Sequence, residues 1–263
     1  MRAALLTTAA LAGALAIAAL VAGVGGGRAG ESAELLPDLV VKVPYDLELT
    51  QAGGRWRLGF ASAASNFGAG PLVVQGRRRP GAETMATVQE IRRADGSVAE
   101  VRGAGRLRYV VSSDHQHWHF LPFMRYELRR ADGTLGVVRD RKTGFCLGDR
   151  YETDRELPGK PDLAGFFSRC GLRETWRLGV REGISVGYGD DYNPTLEGQF
   201  VDVTGLPAGR YVLTHRVNET RVLREGDYDD NASSLLVALR WRAGTPSVAQ
   251  VRRCPGSETC AMP

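Results

Sequence analysis

Three of the chain's four histidines, His115, His117 and His119, stand at alternate positions of one short segment, "DHQHWHF". In an extended strand, side chains two residues apart leave the same face. The three imidazoles are therefore expected to converge, with Gln116 and Trp118 pointing the other way. Adjacent imidazoles repel one another when protonated and leave donors unmet when buried, so a metal is their natural partner. A row of solvent-facing histidines without a ligand is the alternative. Neutral ring nitrogens with an open coordination position suit zinc, copper, iron or nickel, and Cu(II) stands highest in the affinity order. Spacing alone does not separate a zinc hydrolase from a copper oxidase. The hydrolase reading is weakened because the sequence has no H-E-x-x-H pairing. His215, in "YVLTHRVN", reads as a packed strand residue.

A second chemical signal is acidic. From Gly183 to Val203 the chain holds Asp190, Asp191, Glu197 and Asp202 and no Lys or Arg. Such a patch attracts a cationic amine, although "GDDYNP" is also good turn chemistry. In "DYDDN" (Asp227 to Asn231) no Glu stands at the twelfth position from Asp227, which excludes an EF-hand loop.

The elements that must position these residues are strands. The histidines sit between the β-branched "RLRYVV" and the aromatic "FLPFMRYEL", so their own segment is expected to be extended. Elsewhere, short apolar runs alternate with Gly, Asp, Asn and Pro clusters. Two runs break at Asp-Gly dipeptides, Asp95-Gly96 and Asp132-Gly133, which favour tight hairpin turns. "GQFVDVTGLPAGRYVLTHRVN" reads as strand, turn, strand, and "SSLLVALRW" as a further strand. The stretch from Asp149 to Glu182 reads as an ordered loop or a short helix. The fold class expected is mainly β, an antiparallel β-sandwich with long connecting loops.

At 263 residues and 43% hydrophobic, the chain can bury a substantial core. Arg2 precedes an apolar run from Ala3 to Val24 and then "GVGGGRAGES", the pattern of an export signal. The run is longer than a usual signal core, so a retained membrane anchor over residues 3–24 stands beside a cleaved signal. Either way the remainder is secreted or extracytoplasmic, where disulfides persist. Four cysteines allow three pairings. Cys254 and Cys260 close a short loop, which leaves Cys146 with Cys170. With 34 basic against 30 acidic residues the chain is mildly basic. "RRRP" at Arg77 to Pro80 reads as a solvated turn in preference to a polyanion site, and nucleic acid is not an expected partner.

Taken together, "DHQHWHFLPFMRYEL", "RKTGFCLGD" (Arg141 to Asp149) and "GISVGYGDDYNPTLEGQFVDVTGLPAGRYVL" (Gly183 to Leu213) resemble, in order, the motifs of the lysyl oxidase family. "VNETRVLREGDYDDN" continues the likeness, and "LPDLVV" with "RLGFASAASNFGAGPL" resembles the start of that family's catalytic domain, so that Leu36 to Trp241 is covered. The resemblance implies a copper amine oxidase of the protein-lysine 6-oxidase type, with copper on His115, His117 and His119 and a lysine tyrosylquinone built from Lys142 and Tyr192. Read alone, Lys142 is a solvated lysine beside a turn and Tyr192 a half-buried strand-edge tyrosine. Asp190 is the preferred general base among Asp190, Asp191 and Asp149. The implied reactants are a primary amine and O2, and the products an aldehyde, ammonia and hydrogen peroxide. The chain has fewer cysteines than the animal enzymes, so small amines or cell-surface protein lysines are expected substrates in place of collagen or elastin. Residues 1–30 then form the export segment and linker, and residues 31–263 the catalytic domain. A non-enzymatic copper-binding β-sandwich at the cell surface is the alternative.

Overall fold

In the computed structural model, residues 32–112, 116–134, 136–140, 142, 144–167 and 169–261 are described. The expected export segment and His115 lie outside them. The first strands are β1 (Glu34–Leu35), β2 (Leu39–Val41), β3 (Tyr45–Ala52), β4 (Arg55–Asn66), β5 (Leu72–Arg77) and β6 (Thr84–Arg93). Then come β7 (Val98–Val111), β8 (Gln116–Leu121), β9 (Met124–Arg130), β10 (Val138–Arg139), β11 (Tyr151–Glu152) and β12 (Gly179–Ile184). The last are β13 (Tyr188–Tyr192), β14 (Phe200–Asp202), β15 (Gly209–Val217), β16 (Ala232–Arg242) and β17 (Thr245–Cys254). No helix occurs among the described residues, and every strand pairing is antiparallel.

The strands form three sheets. One runs β12-β5-β6-β7-β8, with β1 also on β6; a second runs β10-β9-β15-β16-β17; the third centres on β4, which pairs with β2, β3, β13 and β14. Both Asp-Gly signals mark hairpins. Gly96 takes φ +85° between β6 and β7, where Arg93 N–H donates to Ser97 O at 2.9 Å. Gly133 takes φ +72° between β9 and β10, and Asp132 Oδ1 accepts from Thr134 N–H at 3.0 Å.

Pattern follows position in the sheet. On β6 the buried residues are Met85, Thr87, Gln89 and Ile91, the period-two alternation of a strand with one solvated face. On β4, by contrast, every residue from Leu58 to Asn66 is buried, and the sequence there is the small-residue run "LGFASAASN". A Cβ on Gly59 would lie 2.8 Å from Pro194 O, so bulk is excluded at that crossing. The apolar core draws on all three sheets, with Leu107 and Phe120 from the first, Tyr126 and Leu213 from the second, and Phe60 and Tyr192 from the third.

From Asp149 the segment is a loop carrying the short strand β11, and its last residues, Gly179 to Glu182, already belong to β12. The Asp149 carboxylate holds it: Oδ2 accepts from Gly165 N–H at 2.7 Å and Phe166 N–H at 3.0 Å, and Oδ1 accepts from Ser185 N–H at 2.7 Å. The disulfides are Cys146–Cys170 and Cys254–Cys260, as the spacing led us to expect. The first clamps two segments onto the open edge of β8, where Trp118 N–H donates to Cys170 O at 2.8 Å and Phe120 N–H to Phe145 O at 2.7 Å. Its sequence separation is 24 residues. Closing a loop of that size restricts the unfolded chain by roughly 3 kcal/mol. Cys146→Ser/Cys170→Ser is therefore expected to lose about that much stability in denaturant titration; a shift below about 0.5 kcal/mol would show that the clamp is redundant with the strand hydrogen bonds.

Candidate active site

Period-two geometry on β8 pairs two of the three histidines. His117 and His119 share a face, and their Nε2 atoms approach to 2.7 Å with ring centroids 4.6 Å apart. Trp118 points into the core. His119 is buried and His117 half-buried. Two imidazole nitrogens brought this close are a donor pair that a borderline metal such as copper or zinc can use. Among the described residues no group of three His, Cys, Asp or Glu side chains forms a metal cluster, His115 lying outside them.

The segment carrying Lys142 runs alongside this strand. Phe145 and Phe120 form an isolated antiparallel bridge. Close approach there depends on Gly144, at φ +115°, where a Cβ would lie 2.9 Å from the His119 Cβ. Phe145 in turn meets Tyr192 edge-to-face, with centroids 5.0 Å apart and planes at 81°. A continuous set of contacts thus joins the histidine strand to Tyr192.

Lys142 and Tyr192 are 50 positions apart in the chain but meet in space. Lys142 Nζ stands 5.0 Å from the Tyr192 ring centroid and 5.7 Å from that of Phe145, and it donates to Glu197 O at 3.2 Å. The backbone beneath it is fixed by Asp140, whose Oδ1 accepts from Lys142 N–H at 2.8 Å. Tyr192 ends β13, held on β4 through the register Asp190↔Ala64 and Tyr192↔Ser62. Its hydroxyl donates to Asp190 Oδ2 at 2.7 Å and lies 3.3 Å from Cys146 O.

Electrostatics at this point are set by burial. Loss of water raises Asp190 to about 7, against the opposing pull of the Tyr192 hydrogen bond and of Arg150, whose Nε lies 3.6 Å from Asp190 Oδ1. Burial, and then the Asp190 charge, push the Tyr192 phenol well above its usual range. Strand alternation separates the two neighbouring acids: Asp190 is buried with Tyr192, while Asp191 is exposed. Asp149 is committed to the loop described above, which leaves Asp190 as the acid that touches Tyr192. His215 fits its packed-strand reading: it is fully buried, its Nδ1 lies 3.1 Å from Lys42 O and its Nε2 3.0 Å from Met124 Sδ, and burial lowers it to about 4.

Sequence reasoning missed three groups. Asp140 stands two residues before Lys142, the spacing of a side chain that turns back on its own backbone, which was a usable signal. Glu182 alternates with Val180 and Ile184, which marks it as inward-facing; it is buried, its Oε2 accepts from Leu147 N–H at 3.1 Å, and desolvation raises it well above the usual carboxyl range. Arg150 carried no local signal, since only tertiary folding brings it to Asp190. A cavity of about 260 Å³ opens beside Lys142, lined by Phe123, Met124 and Phe145 together with Asp140 and Glu219.

The lysyl oxidase family profile matches residues 97–248, more than half of the chain. Among curated proteins, lysyl oxidase homolog 3B of Danio rerio is 30% identical over 130 residues, covering 49% of this chain and 14% of that protein. Lysyl oxidase homolog 2 of Gallus gallus is 29% identical over 128 residues, covering 48% of this chain and 15% of its own length. Protein-lysine 6-oxidase of Gallus gallus is 30% identical over 120 residues, covering 45% of this chain and 25% of its own. The matched stretch therefore spans a quarter or less of these relatives. This chain belongs to the lysyl oxidase family.

Proposed function

We propose that the chain is an exported copper-dependent amine oxidase that converts primary amines, either small amines or lysine side chains, into aldehydes. Amine, O2 and water would be consumed and aldehyde, ammonia and hydrogen peroxide released. The observation that carries this reading is the placement of Lys142 Nζ over the Tyr192 ring at 5.0 Å, beside a tyrosine whose hydroxyl is held by a buried carboxylate. Family membership supports it, as does the name of the Gallus gallus relative, a protein-lysine 6-oxidase.

His115, His117 and His119 would hold copper, and Lys142 and Tyr192 would supply the lysine tyrosylquinone. Together these groups contribute the redox chemistry that ordinary side chains lack, oxidation of an amine at the expense of O2. The remaining work belongs to the protein. Asp190 accepts the Tyr192 hydroxyl proton along a 2.7 Å hydrogen bond, and a carboxyl near 7 can also take up and return a substrate proton at neutral pH. Arg150 favours its ionised form. Phe145 sets the tilt of the Tyr192 ring, and Asp140 with Glu197 O holds Lys142 above it. The cavity beside Lys142 has room for an alkylamine chain against Phe123 and Met124.

The same reading takes the three sheets as layers of one antiparallel β-sandwich spanning residues 31–263, since all three feed a single core. It also takes residues 1–30 as the export segment, cleaved or kept as an anchor over 3–24. Two disulfides fit an extracytoplasmic location. The test is amine-dependent peroxide release from the copper-loaded full chain on addition of n-butylamine; copper-loaded protein that releases none rejects the activity.

His117→Ala is expected to weaken copper binding by more than about tenfold, because even groups that only orient a metal's ligands are worth that much. Competition against a chromophoric chelator measures it. Unchanged affinity would remove His117 from the ligand set.

A further inference from the structure

Several arginines of this chain pair with a carboxylate. Arg181 meets Glu90 at 2.9 Å, Arg125 meets Glu219 at 3.0 Å and Arg216 meets Glu127 at 3.0 Å. On the outer face of the first sheet several arginines stand together without one. The register sets Arg77 of β5 opposite Ala86 of β6, and Ala86 opposite Arg106 of β7, so both guanidinium stems rise from one row on one face. Arg108 follows on that face, two residues further along β7 and opposite Thr84. Arg77, Arg79, Arg106 and Arg108 are all exposed, and none forms an ion pair with a carboxylate among the described residues.

At the β5–β6 end of this face lies a shallow, open depression lined by Arg77, Arg78, Arg79 and Arg106, with Ala82, Ala86 and Gly105 beside them and no acidic residue in the lining. Arg78 is built in: its guanidinium stacks 4.8 Å from the Trp118 ring centroid and donates from Nε to Arg177 O at 2.8 Å. The others are held around it without a counter-charge. Like charges gathered on one face repel one another, so this arrangement is one that a bound anion relieves.

We infer that this face binds a linear phosphate-bearing polymer. Guanidinium forks match phosphate oxygens in pairs. Arg106 and Arg108 are about 7 Å apart along their strand, and Arg77 lies about 10 Å across two strand spacings. That footprint is too long for one phosphate and suits successive groups of a chain. No exposed large apolar side chain lines the site, which favours a soluble polymer over a lipid surface. The inference is independent of the amine oxidase reading. It adds retention on an anionic scaffold, with Arg108 opposite His119 on the adjoining strand.

The experiment measures binding of the full chain to inorganic polyphosphate. Arg77→Gln/Arg106→Gln/Arg108→Gln is expected to weaken binding at least about tenfold and to flatten its salt dependence. Arg242→Gln/Arg253→Gln, on the exposed face of the second sheet, is expected to leave it within about twofold, because those charges lie outside the site. Equal weakening by both variants, or no weakening by the first, overturns the site. Tighter binding to polyglutamate than to polyphosphate overturns the phosphate assignment. Binding to phosphatidylglycerol vesicles without binding to polyphosphate overturns the polymer in favour of a membrane surface.

Discussion

Lys142→Met and Tyr192→Phe are each expected to lower amine-dependent peroxide release by about a thousandfold or more, and the double variant to be no worse than either single one. The two side chains act as a unit under the proposed function, so losing either forfeits the whole contribution. Neither change should unfold the protein. Lys142 is half-buried, and its Nζ donates to the backbone at Glu197 O. Tyr192→Phe keeps the ring that packs on Phe145 and loses the hydroxyl bonded to Asp190. Peroxide release within tenfold of the parent in either variant, with an unchanged melting temperature, would contradict the assignment of this pair.

Asp190→Asn is expected to lower the rate by about 10²- to 10⁴-fold, the usual worth of a positioned acid or base. In the parent, the ionised form of Asp190 grows as pH rises through about 7, so the rate should climb across that region; in the variant the limb should vanish. The stability effect has the opposite sign. A carboxyl raised by burial from 3.8 to about 7 binds its proton more tightly folded than unfolded. Parent stability therefore falls as pH rises from about 4 to 7 and levels off above, and Asn removes that fall. A variant that keeps the rising limb would place the base elsewhere, with Glu182 the next buried acid to test.

Local chemistry carried much of this molecule in its sequence. Alternation put His117 and His119 on one face, Asp-Gly placed two hairpins, and cysteine spacing paired the disulfides. The contact between Lys142 and Tyr192 had no such signal: it rests on the Phe120–Phe145 bridge and on β13 docking to β4, pairings between segments 25 or more residues apart that no local period encodes. Only the ordered motifs of a family pointed to it. The row of arginines was hidden for the same reason. "RRRP" shows a turn, whereas Arg106 reaches its side only through strand pairing. Glu182 was legible in its alternation with Val180 and Ile184, but a glutamate at an inward position competes against the strong expectation that charged residues face water.

The central claim is that Lys142 and Tyr192 become one covalent unit. Peptide mass spectrometry on the chain produced with copper and air tests it most directly. The account predicts a single cross-linked, oxidised species joining the peptides that contain Lys142 and Tyr192, absent from Tyr192→Phe. Both residues recovered unmodified from fully copper-loaded protein would contradict it, and would leave the histidine strand as a metal-binding element of a β protein without quinone chemistry.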